Sequence, residues 1–89
     1  MDDWDGVFGP EPLDADTCAR IVEDPDILAG APTVAGTRVS VVAVLGSLAH
    51  HGTFAGVLED YPHLTPEDVA ACVRFARHTV DAARALPSR

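Results

Sequence analysis

The chain has 89 residues, 47% of them apolar and 22% charged, with a formal net charge of −8 and no lysine. That length holds one domain with a small core of its own, so an oligomer or a partner is expected to complete it, and the composition is that of a globular rather than a disordered protein. The longest mostly apolar run, Val41 to Ala49, falls well short of the ~20 residues of a membrane span, and no basic segment introduces a cleavable signal. The expectation is a soluble, cytoplasmic protein that does not engage membranes.

The charge is unevenly placed. Residues 1–19 carry Asp2, Asp3, Asp5, Glu11, Asp14 and Asp16 with no base, whereas residues 20–89 set eight acids against six arginines. A protein that neutralises nucleic-acid phosphates shows a basic footprint, so any DNA contact must come from a local arginine face or from an assembly. Cys18 and Cys72 have neither CxxC spacing nor a second pair, and read as reduced structural thiols.

In chain order, the acidic residues 1–19 form a segment separate from a domain over residues 20–89. Asp, Pro and Gly break periodicity through residues 1–16, yet Trp4, Phe8 and Leu13 stand among them. They are either anchors that fill pockets on a basic partner or side chains that fold back onto the chain's own domain. Residues 20–22 are a short β-prone piece. After the break at Gly30-Ala31-Pro32, Thr33-Val34 and Thr37-Arg38-Val39 flank Ala35-Gly36 and predict a tight hairpin, with Gly36 supplying a positive φ. Ser40 caps a helix through residues 41–51, with Val41, Val44, Leu45 and Leu48 on one face and Gly52 as its stop. Thr53 caps a shorter helix that ends before Tyr61-Pro62.

Thr65-Pro66-Glu67-Asp68 opens a final helix: threonine accepts from the first free amides, proline wastes none, and the acids meet the positive end of the dipole. It is expected to run to about Leu86. Val69, Cys72, Val73, Ala76, Val80 and Ala83 form its core stripe, and Ala71, Phe75, Ala82 and Leu86 a second stripe suited to a dimer or a partner. Between them Arg74, Arg77 and Arg84 cluster with Asp81. They are either a solvated face with an Arg77–Asp81 pair or a nucleic-acid or protein contact.

Neither GxGxxG nor GxxxxGK[ST] occurs. Adjacent His50 and His51 lack the i, i+4 spacing of helical metal ligands, and no group of acids signals a Mg²⁺ site. The chain reads as a binder without cofactor or metal, and not as an enzyme.

The constellation Asp24-Pro25, Ile27, Gly30, Pro32, Gly36-Thr37-Arg38-Val39, Gly52, Asp60-Tyr61-Pro62, Leu64-Thr65 and Glu67-Asp68 resembles the bacterial family called domain of unknown function 433. That family reads approximately dp-x-I-x-GG-x-P-x-IxGTRI-x-V, followed by three helices. Ala31 and Ala35 stand where it commonly carries a lysine and a basic or bulky residue, and Ala55-Gly56 where it has an acidic pair. The resemblance implies a mainly α, three-helix helix-turn-helix-like (winged-helix-like) domain with a small N-terminal β-hairpin. It further implies a homodimeric, VapB-type antitoxin that neutralises a PIN-like ribonuclease toxin and regulates its own transcription. Arg38, Thr65, Arg74 and Arg77 are then the candidates for operator DNA, with the helix from Thr65 as groove reader. Trp4, Phe8, Leu13, Phe75 and Leu86 are the candidates for the toxin, and Gly30, Pro32, Gly36, Thr37, Gly52 and Pro62 the structural motif. Arg38 has an alternative role in holding Glu23, Asp24 or Asp26. A dimeric module that binds only protein is the alternative for the whole chain.

Overall fold

Ser40, Thr53 and Thr65 open three successive helices by the same device. In the computed structural model, which describes residues 13–84, Ser40 accepts from the Ala43 amide at 3.0 Å and starts α2 (Val41–His51). Thr53 accepts from the Gly56 amide at 3.0 Å and starts α3 (Phe54–Asp60). Thr65 accepts from the Asp68 amide at 3.1 Å while Asp68 accepts from the Thr65 amide at 3.0 Å, a reciprocal cap at the head of α4 (Pro66–Arg84). Gly52, at φ 75°, closes α2 with its amide on the Leu48 carbonyl, a left-handed position at which a side chain costs about 1 kcal/mol or more.

A short helix and two short strands precede these. Asp14 caps α1 (Ala15–Arg20) by accepting from the Thr17 amide, and the chain passes directly into β1 (Ile21–Val22). The sequence reading places no helix here, since six residues are too few to be helical unaided. The helix exists because it packs against α4, with Thr17 fully buried in the seam.

β1 pairs antiparallel with β2 (Thr33–Val34), Ile21 opposite Val34 and Val22 opposite Thr33. This corrects the expected hairpin, in which residues 37–39 were to be the second strand. The turn at Ala35-Gly36 does form, with Gly36 at φ 79° and the Val34 amide on the Val39 carbonyl at 2.9 Å. The Thr37 hydroxyl, however, donates to the Val34 carbonyl at 2.8 Å and accepts from the Val39 amide at 3.0 Å. Those bonds curl residues 37–39 away from an extended path and leave a single bridge between Thr33 and Ser40. The Ala35 amide bonds instead to the Arg20 carbonyl at 2.7 Å, tying the turn to the end of α1.

Between β1 and β2 lies a left-handed turn, with Leu28 at φ 52°, Ala29 at φ 57° and Gly30 at φ 88°. The amides of Gly30 and Ala31 return to the carbonyls of Ile27 and Leu28. Pro32 follows and gives its carbonyl to the Val41 amide at 2.8 Å, which fixes the entry to α2.

Val44, Val57 and Val69, one from each of α2, α3 and α4, are fully buried, with Val34, Val41, Leu64, Ala71 and Cys72 around them. Leu45, Leu48 and Phe75 pack against this cluster. The expected division of α4 into a core stripe and a partner stripe is corrected. Ala71 is fully buried and Phe75 lies against the core, whereas Val73 and Val80 are 38% and 59% exposed. Among the described residues, the buried positions of α4 fall in its first half. No described helix is long and apolar enough to cross a membrane.

Candidate partner and nucleic-acid interface

Arg74 and Arg77 of α4 are drawn into ion pairs. Arg74 Nε donates to the buried Thr17 hydroxyl at 2.8 Å, and its Nη2 to Asp16 Oδ2 at 3.2 Å, with Asp14 Oδ2 at 3.9 Å from Nε. Arg77 Nε lies 3.8 Å from Asp81 Oδ2, the i, i+4 pair weighed in the sequence. Arg20, at the end of α1, grips Asp16 through Nε at 2.9 and 3.0 Å and donates from Nη1 to Asp68 Oδ1 at 3.0 Å. Thr65 has its hydroxyl engaged at the head of α4, beside Glu67 and Asp68. Negative side chains thus surround the end of the helix that a groove reader presents first.

Arg38 differs. It projects from the Gly36-Thr37 turn, exposed, and among the described residues its side chain makes no ion pair, not even with Glu23, Asp24 or Asp26. The remaining candidates fall in several places. Leu13 is half-buried beside α1, Pro62 is exposed in the α3–α4 connection, and Trp4, Phe8, Leu86 and the Arg84 side chain lie outside the described residues.

A second polar cluster joins α2 to α3. Ser47, 9% exposed, donates to Asp60 Oδ2 at 2.7 Å, and His51 Nε2 lies 3.1 Å from the same oxygen. The His51 ring meets that of His50 edge to face at 4.9 Å between centroids, so the adjacent histidines touch despite starting on different helix faces. Among the described residues no three His, Cys, Asp or Glu side chains converge as a metal site requires. The Ser47 hydrogen bond first, and the His51 contact second, hold the Asp60 carboxyl below its ordinary value of 3.8. A lowered carboxylate stabilises the fold above its unfolded value, and that contribution disappears as pH falls through the lowered folded value. Asp60→Asn is therefore expected to destabilise the domain near neutral pH, with a penalty that shrinks below about pH 4. Denaturant melts of both proteins across that range read it directly; a penalty equal at every pH would contradict the linkage.

Burial, with Asp68 nearby, pushes the Cys72 thiol up to about 11, so it stays protonated and inert in the core. Cys18 is exposed, and both are free thiols. The sequence reading missed Asp16 and Thr17. Asp16–Arg20 carries the i, i+4 spacing of a helical ion pair, but nothing local reveals that Arg74 closes on Thr17.

The fold and these surfaces define a mainly α, helix-turn-helix-like domain with a short antiparallel sheet, to which α1 adds a helical flap. Residues 21–76 match the model of the family described as protein of unknown function, DUF433, and the chain belongs to that family. No curated protein and no solved structure matches it.

Proposed function

We propose that this domain is the antitoxin of a type II toxin–antitoxin pair and acts, in the cytoplasm and as a homodimer, by binding a PIN-like ribonuclease toxin. It catalyses nothing itself and takes no cofactor. The observation that carries the protein-binding part is the outer half of α4, where Val73 and Val80 stand 38% and 59% exposed. Aliphatic side chains at positions 73 and 80, two turns apart, suit a helix laid in an apolar groove. Arg74 and Arg77 of the same helix already face carboxylates, which favours protein over nucleic acid as its partner.

A second activity, operator binding with autoregulation, draws support from Arg38, exposed and without an ion pair among the described residues. In that reading Arg38 is the first basic contact, and Thr65, Arg74 and Arg77 enter only as their acidic neighbours are displaced. A dimer that binds protein alone is the competing account.

The test uses the full chain and a Val73→Asp/Val80→Asp variant as baits in lysate of the native host, read by mass spectrometry. Recovery of a PIN-like protein by the first and its loss with the second, at an unchanged melting temperature, is the expected result. Absence of any such protein from both baits overturns the antitoxin reading.

A further inference from the structure

Two guanidinium groups from different helices converge on one carboxylate oxygen. Asp16 Oδ2 lies 3.0 Å from Arg20 Nε and 3.2 Å from Arg74 Nη2, and the Asp16 side chain is 52% exposed. Their other partners are Asp16 Oδ1 and Asp68 Oδ1 for Arg20, and Thr17 Oγ1 with the more distant Asp14 for Arg74. A guanidinium carries five N–H donors in a fixed fork, so most of the donors in this seam have no protein partner among the described residues. We propose that Arg20 and Arg74 form an anion site that α1 keeps filled with its own Asp16 carboxylate, and that accepts a phosphate group when the α1 acids are neutralised or engaged elsewhere.

The charges account for both states. At rest Asp14, Asp16 and Asp68 outnumber the two arginines, and an incoming anion is repelled. With Asp14 and Asp16 neutral, the two arginines face Asp68 alone and the seam is positive. Planar donor forks of this kind match phosphate oxygens in pairs as they match those of a carboxylate. A basic partner that takes up Asp14 and Asp16 has the same effect as neutralising them. The inference concerns this seam alone and does not depend on the toxin reading, because Val73 and Val80 take no part in it.

The experiment is a full-chain Asp14→Asn/Asp16→Asn variant, in which asparagine at position 14 still caps α1. Two probes are titrated at low salt: inorganic phosphate, read by thermal shift, and a short DNA duplex, read by fluorescence anisotropy. The variant is expected to bind duplex about tenfold more tightly than the wild type, a gain that falls away as salt rises. Adding Arg74→Gln should remove the gain, and Asp24→Asn/Asp26→Asn, which changes net charge equally, should produce none. A phosphate-induced shift comparable to that with duplex assigns the site to free phosphate; a response to duplex alone assigns it to the nucleic-acid backbone. Asp16→Asn alone, which leaves the Asp14 cap untouched, repeats the test should the double variant melt early. Binding no tighter than the wild type with either probe, a gain that survives Arg74→Gln, or an equal gain in the Asp24/Asp26 variant overturns the proposal.

Discussion

Gly56→Ala is expected to lower the stability of the domain by about 2 kcal/mol, on the order of 10 °C in melting temperature for a domain this small. Helix propensity alone predicts the opposite sign, since alanine exceeds glycine in a helix interior by ~1 kcal/mol. Gly56 is buried in α3, and a methyl group there falls within contact distance of His51 Cβ and Cγ, with Nδ1 at 2.8 Å. The Cβ atom is fixed by the backbone of α2 and has no rotamer to escape into, so the two helices must separate. That separation pulls His51 and Ser47 away from Asp60, whose carboxylate accepts from Ser47 at 2.7 Å and lies 3.1 Å from His51. A double-mutant cycle isolates the contact: His51→Gly should abolish most of the cost of Gly56→Ala, whereas His51→Ala, which keeps Cβ, should relieve only part of it. Equal cost in all three backgrounds would place the effect elsewhere.

Ala29→Gly is expected to act in the opposite direction, raising stability by about 1 kcal/mol and the melting temperature by about 5 °C. Ala29 sits at φ 57° in the left-handed turn between the strands, following Leu28 at φ 52°. An L-residue in that region costs roughly 1–2 kcal/mol relative to glycine, against a loss of about 0.4–1 kcal/mol from the greater freedom of glycine in the unfolded chain. Ala29 is exposed, so little packing is lost with the methyl group. The family pattern carries two glycines where this chain has Ala29-Gly30, in keeping with the geometry. Chemical denaturation of the single variant measures the balance; a loss of stability would mean that the turn is not left-handed in solution.

The helices were legible because their boundaries are local. Ser40, Thr53 and the Thr65-Pro66 pair satisfy amides within their own first turn, so a short stretch of sequence contains the whole argument. The positive φ at Gly36 was legible for the same reason. What was not legible depended on distant partners. α1 is too short to persist by itself and is held by Arg74, far along the chain. β1 finds β2 across residues 23–32, while the closer candidate strand is diverted by the Thr37 hydroxyl. On α4, periodicity gave the repeat of apolar residues but not where the core ends, which is why Val80 looked internal and Ala71 peripheral. The candidate site followed the same division. The Arg77–Asp81 pair was visible from its spacing, whereas the convergence of Arg20 and Arg74 on Asp16 required the fold.

Arg20 holds Asp16 and Asp68 with its side chain, and with its carbonyl it accepts the Ala35 amide at 2.7 Å. No loop separates α1 from β1 to absorb a displacement. The acidic helix and the turn that carries Arg38 are therefore tied to each other at a single peptide group. Because Arg20 also reaches Asp68 at the head of α4, that one residue joins the acidic helix, the turn bearing Arg38 and the last helix of the bundle.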